Sequence, residues 1–344
     1  VGMATKFFTC TLAVLYRGED SLGEVQGGPM YYIEAGLGRR FRVLAILFSI
    51  FGLIGCLSIF QTNQVAGILA ESYAVPKWLT GAVFVALTAL VIVGGITRIG
   101  KVASRLVPAM CALYLLGSAV VVVANLELVP VVFAQIFHDA FTGTAAAGGA
   151  AGIAWSMVIT TGIKRAVFSN EAGLGTAPMA HGAAKTREPV REGLVAMVGP
   201  FIDTICVCSV TAFVILSTGL WRDTGGVEGV TLTVRAFESA LGGYGRLLLV
   251  TAAMLFGFST MIGYSYYGRK CFAYLFGAER ARIYDVFYLT MLFLGAVWSA
   301  SAVINLIDTA YALMAVPNMI ATLYLAPKVM TATREYFSRH RGTG

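Results

Sequence analysis

Residues 43–70 read VLAILFSIFGLIGCLSIFQTNQVAGILA, a long run without a single Asp, Glu, Lys or Arg. A helix of about 20 apolar residues crosses a bilayer, so this stretch decides the fold class: an all-α polytopic membrane protein. Working outward, residues 78–97, 106–126, 140–163, 247–268, 286–307 and 309–327 are equally free of charge, and residues 193–221 carry only Asp203. Residues 1–16 form a shorter apolar piece that holds Lys6. Eight full spans and one partial span are therefore expected. Barrel strands would instead alternate over about 10 residues.

The composition agrees. Of 344 residues, 58% are hydrophobic and 12% charged, with a mean hydropathy of +0.77, whereas soluble domains carry about 25% charged residues. That excludes an ordinary cytosolic enzyme, a disordered chain and a nucleic-acid module. The net charge of +7 has a different source. With loops alternating between the two sides, twenty of the 25 Lys and Arg residues fall on one side. Only Lys77, Arg222, Arg235 and Arg246 fall on the other, and Lys6 lies within a helix. Cytoplasmic loops are the basic ones, so the loop after residue 16 and the C-terminal tail are expected in the cytoplasm. The six cysteines lack zinc-type spacing and read as buried free thiols.

An internal repeat is visible. Leu47-Phe48 with Ile54-Gly55 returns as Leu255-Phe256 with Ile262-Gly263, and Val107-Pro108-x-Met110 returns as Val316-Pro317-x-Met319. Five spans separate the copies, and an odd number inverts one against the other, an architecture of many secondary transporters. The second copy contains five spans and the first only four, so a preceding helix is expected before Val1. The chain divides into residues 1–126 (the incomplete first repeat), 127–327 (the second repeat) and 328–344 (a basic tail).

Several polar residues within the spans are candidate site residues. Gly148, Gly149 and Gly152 lie in AAAGGAAG (145–152). They either allow close helix packing or mark a broken helix whose freed N–H groups hold a carboxylate and whose carbonyls hold Na⁺. Asp203 lies 12 residues beyond Arg191, roughly 18 Å into the membrane at 1.5 Å per residue, and Lys6 lies roughly 16 Å in from Arg17. Intramembrane charges pair or face a water-filled path, so Lys6 and Asp203 are expected to pair, directly or through neighbours such as Thr5 and Thr204. Ser259 and Thr260 either bond back to the preceding turn or ligate Na⁺. Gln61, Thr62 and Asn63 either hydrogen-bond a zwitterion or tie helices together. His138, His181 and His340 are expected in loops or the tail with no His/Asp/Ser grouping around them, so catalysis is not expected.

The stretches GMATK (2–6), GGPMYYIEAGLG (27–38), FSNEAGLG (168–175), FIDT (201–204), FSTMIGYSYYG (258–268) and MAVPN (314–318) resemble the alanine or glycine:cation symporter family along essentially the whole chain. The resemblance implies a LeuT-like 5+5 inverted-repeat bundle, here lacking its first core helix. Residues 1–16 then correspond to the end of the second core helix. It implies Ser259 and Thr260 at a sodium site, Gly148, Gly149 and Gly152 in the broken sixth core helix, and Gln61 and Asn63 facing the substrate. Asn170 and Glu171 belong to the signature loop, with capping or gate-ordering roles. The family's Glu shortly after GMATKF is absent; Phe8 and Thr9 stand there. The implied function is sodium-coupled symport of alanine or glycine across the cell membrane by alternating access. Na⁺ would be the coupling ion, with no cofactor and no nucleic-acid partner. The alternatives are a proton-coupled permease using Asp203 and a non-transporting fragment.

Overall fold

The computed structural model describes residues 1–141, 151–222 and 229–341. The chain begins with α1 (Gly2–Leu15), a short antiparallel hairpin of β1 (Gly18–Glu19) and β2 (Val25–Gln26), and α2 (Pro29–Leu37). Next come α3 (Arg42–Gly55), α4 (Ile59–Tyr73), α5 (Lys77–Ile92), α6 (Gly95–Ala124) and α7 (Leu128–Phe141). Then follow α8 (Ala151–Asn170), α9 (Ala177–His181), α10 (Pro189–Pro200), α11 (Ser209–Thr218) and α12 (Val230–Leu241). The last three are α13 (Gly243–Phe276), α14 (Ala281–Val297) and α15 (Ala300–Arg341).

Five helical stretches among the described residues are long and apolar enough to cross a membrane: Arg39–Tyr73, Gly95–Ala124, Pro189–Thr218, Gly243–Phe276 and Ala300–Arg339. The remaining expected spans differ. Lys77–Ile92 and Ala281–Val297 are shorter helices, and residues 140–163 fall partly outside the described residues. Large apolar side chains such as Leu116, Leu323 and Val93 stand outward and exposed. In water such a surface would be an association site; on a membrane helix it is the lipid face.

The structure redraws several boundaries. The stretch 43–70 is two helices, broken at Cys56–Ser58, where the amides of Cys56 and Leu57 bond to Gly52 and Ile54. Arg98, Lys101 and Arg105, expected in a loop, ride on the first turns of α6. The turn before them is made at Gly95, whose φ of +69° suits glycine. Arg98 reaches back 2.7 Å to the carbonyl of Leu90 near the end of α5. Asp308, expected to separate two spans, sits within α15, because the helix break falls at Trp298–Ser299. The basic tail from Lys328 to Arg341 continues the same helix.

The region expected as one span at 193–221 also changes character. Between α10 and α11, residues Phe201–Cys208 wind as a π-helix directly after Pro200. Proline has no N–H to donate to the ladder, and π-turns inside α-helices gather at functional sites. The pairing of elements follows small residues. A Cβ on Gly193 of α10 would lie 2.9 Å from the Phe7 carbonyl, so α1 and α10 cross in close contact. The main core is built around Phe48, Tyr32, Tyr284 and Tyr288, all fully enclosed. The six cysteines are free thiols.

Candidate functional site

The centre of the molecule is the loop that ends α8. Glu171 adopts a left-handed φ of +55°, followed by Gly173 at +88° and Gly175 at +92°. A non-glycine residue held there costs about 1–2 kcal/mol, and the surroundings hold it. Oε1 of Glu171 accepts the hydroxyl of Tyr264 at 2.7 Å, and Oε2 accepts Thr176 at 2.6 Å. Tyr264 in turn accepts the hydroxyl of Tyr311 at 3.0 Å. A chain of three oxygens thus runs from α15 through α13 to one carboxylate.

The same loop is fastened from α15 by a residue that the sequence reading passed over. Asn318, within MAVPN, donates its amide to the carbonyl of Gly173 at 2.7 Å, while its Oδ1 accepts the hydroxyl of Tyr32. Burial pushes the Tyr32 hydroxyl well above its ordinary range, which keeps it protonated as the donor. Asn170 uses Oδ1 to accept the amide of Ala172 and Nδ2 to bond Thr204, so its role here is local capping and tethering.

The two glycine-rich stretches prove to be each other's neighbours. A Cβ on Gly175 would lie 2.6 Å from Phe48 and 2.7 Å from Pro29. Gly27 and Gly182 approach so closely that a Cβ on either would meet the other's Cα at 2.5 Å. These glycines stand where backbone meets backbone or ring, and a side chain there would force the loops apart.

The helices that carry the other two polar clusters, α4 and α13, also meet. A Cβ on Gly257 would touch Val65 at 2.8 Å and lie 3.9 Å from the carbonyl of Gln61, so α4 crosses α13 there. Ser58, in the α3–α4 break, points to the carbonyl of Thr260 at 3.5 Å and receives Tyr288 at 2.9 Å. Ser259 and Thr260 both donate to the carbonyl of Phe256, at 2.9 and 3.0 Å. That is the back-bonded arrangement, yet a hydroxyl that donates keeps its lone pairs. Asn63 is committed elsewhere: its amide donates to Gly295 and Trp298, both at 2.9 Å, closing the end of α14. Gly148 and Gly149 lie outside the described residues, and Gly152 falls in the first turn of α8.

The expected direct pair of Lys6 with Asp203 does not form. Asp203 accepts the Ser169 hydroxyl at 2.9 and 2.8 Å on its two oxygens and Thr204 at 3.3 Å. Lys6 takes part in none of the ion pairs among the described residues. The i→i+5 winding around Asp203 changes the phase of its side chain and presents it to α8. An ion pair that does form joins α8 to α15: Arg165 with Asp308, at 2.6 Å. It borders a cavity of about 500 Å³ between α8 and α15 that reaches Phe168 and Tyr311. Phe168 stacks between Phe60 and Tyr311, with ring centroids 4.9 and 5.4 Å away. The signal for this pair is the charge inside each helix, which hydropathy alone takes for a span boundary.

Interrupted helices, polar side chains drawn to the middle of an apolar bundle and a glycine-hinged loop define a multi-pass membrane transporter. More specifically, the chain belongs to the sodium:alanine symporter family, whose model matches residues 1–343. It is 41% identical over 342 residues to the sodium/alanine symporter AgcS of Methanococcus maripaludis, covering 97% of this chain and 74% of that protein. It is 40% identical over 344 residues to an uncharacterized transporter of Haemophilus influenzae, covering 98% and 75%. With the probable sodium/glutamine symporter GlnT of Bacillus subtilis the identity is 34% over 340 residues, covering 98% and 70%. The protein is thus a sodium-coupled amino-acid symporter and not an enzyme, and Na⁺ is its coupling ion rather than a bound cofactor.

Proposed function

We propose that the amino acid carried is alanine or glycine, moved with Na⁺ across the cell membrane by alternating access of a LeuT-like 5+5 inverted repeat. Residues 1–126 and 127–327 are the two repeats, and the basic tail from residue 328 faces the cytoplasm. Packing supports this: α1 lies chiefly on α10 and α5 chiefly on α14. Each of these pairs joins an element to its counterpart in the other repeat.

The observation that carries the reading is the crossing of α4 over α13 at Gly257, which brings Gln61 to the turn that holds Ser259 and Thr260. Hydroxyl oxygens whose hydrogens are already donated offer lone pairs to Na⁺, a hard cation that prefers oxygen. Gln61 supplies an amide toward a zwitterion. Gly148, Gly149 and Gly152 would meet the substrate carboxylate with backbone N–H groups. Glu171 orders the loop that must move when the cavity beside Tyr311 opens or closes. Lys6 and Asp203 would couple through neighbours such as Thr5 and Thr204, the latter bonded to Asp203 at 3.3 Å.

The test is the Na⁺ dependence of alanine uptake by the Ser259→Ala and Thr260→Val variants. A rise of tenfold or more in the Na⁺ concentration for half-maximal uptake, with normal protein yield, supports the site. Unchanged Na⁺ dependence in both removes it. Competition by unlabelled alanine and glycine, but not glutamine, supports the small-substrate reading; strong competition by glutamine contradicts it.

A further inference from the structure

We propose that the cavity between the β1–β2 hairpin and the adjoining ends of α6, α13 and α14 binds a dipolar ligand, one that carries an anionic group and an ammonium together. The cavity measures about 260 Å³. Lys270 of α13 lines it and is 94% buried, being 6% exposed, yet its Nζ has no hydrogen-bond acceptor among the described residues. The face of the Tyr266 ring lies 4.7 Å from that nitrogen, which stabilises a cation without supplying an acceptor. Gln26, 8% exposed, lines the same space, and its Oε1 has no donor. One orphaned donor and one orphaned acceptor therefore belong to two side chains that line one cavity, each atom enclosed within its wall. Burying such groups without a partner is costly, so a ligand that supplies both partners is favoured.

The charges select the ligand. Asp20, Glu24 and Asp285 line the cavity against Arg269 and Lys270. Asp20 already accepts the Leu22 and Glu24 amides on Oδ1 and the Gln26 side-chain amide on Oδ2. Asp285 faces Arg269 at 3.5 Å. Glu24 is exposed at the mouth and has no such partner. A simple anion would meet the carboxylates, and a simple cation would meet the buried ammonium. A dipolar ligand places its carboxylate or phosphate on Lys270 and its N–H groups on Gln26 Oε1 and Glu24. Ile92, Ile96 and Ile99 form an apolar flank. Two sources share this chemistry: the headgroup of an ethanolamine phospholipid, and a free amino acid. The lipid arm rests on the membrane location alone; the alanine arm rests on the proposed alanine transport, which supplies the first equivalent.

The complete protein, delipidated in detergent, is titrated with phosphatidylethanolamine, phosphatidylcholine and phosphatidylglycerol and followed by native mass spectrometry. In parallel, equilibrium dialysis counts bound labelled alanine. The expected result is retention of either phosphatidylethanolamine or a second equivalent of alanine, weakened at least tenfold by Lys270→Met and several-fold by Glu24→Gln. The arm that responds names the source. Because Glu24 is exposed, loss in that variant is not a folding defect. Phosphatidylcholine or phosphatidylglycerol binding as tightly as phosphatidylethanolamine, with a single alanine equivalent, overturns the proposal. So does wild-type binding in both variants.

Discussion

Tyr264 donates its hydroxyl hydrogen to Glu171 at 2.7 Å, joining the middle of a long helix to a residue in the left-handed conformation at the end of another. The bond matters because Tyr264 is buried, Glu171 is half-buried and the carboxylate has a second donor in Thr176. Hydrogen bonds to a charged acceptor contribute about 1.5–3 kcal/mol. Tyr264→Phe is expected to lower stability by about 2 kcal/mol. Glu171→Ala, which orphans both hydroxyls, should cost more and reduce uptake at least tenfold. Thermal unfolding in detergent and uptake in proteoliposomes check the two effects separately.

The meeting of the glycine-rich stretches leads to a steric prediction. Gly175→Ala places a methyl 2.6 Å from Phe48 at a φ of +92°, so overpacking and backbone strain add to about 2–4 kcal/mol. Gly67→Ala, on α4 with nothing within 4 Å, is the control. It should be neutral or stabilise by about 0.5–1 kcal/mol, the helical preference of Ala over Gly. Melting temperatures of the two variants should move in opposite directions.

Asn63 and Gln61 separate structure from substrate contact. Asn63→Ala removes both amide bonds to the end of α14 and should cost about 2 kcal/mol, with KM for alanine little changed among molecules that remain folded. Gln61→Ala should leave stability alone and raise KM. The reverse pattern would exchange their roles.

Arg165 and Asp308 are partly exposed, with 44% and 26% of their side chains accessible. A pair of that exposure in water is worth about 0–1 kcal/mol; beside lipid, each charge left alone is more costly. A double-mutant cycle with Arg165→Gln and Asp308→Asn should give a coupling of about 1–2 kcal/mol, and the double variant should be more stable than either single one. Strict additivity would show that the pair has no role.

Much of the helical bundle was legible because an uncharged run of 20 or more residues has little alternative to crossing a membrane. The break at Cys56–Ser58 and the π-turn at Phe201–Cys208 were not, since hydropathy reports what surrounds a backbone and not how it winds. Asp308 misled for a related reason: a charge was read as a boundary, although Arg165 neutralises it within the bundle. The signature loop was found from its glycines and Glu171. Its partners Tyr264, Tyr311, Asn318 and Tyr32 come from distant helices, and only the tertiary structure joins them.

Uptake of labelled alanine into proteoliposomes containing the complete protein, at fixed pH with and without a protonophore, tests the central claim most directly. An inward Na⁺ gradient should drive accumulation, and replacing Na⁺ by choline should abolish it. Accumulation that survives in choline and disappears only with the protonophore would contradict sodium coupling and return Asp203 to the leading role.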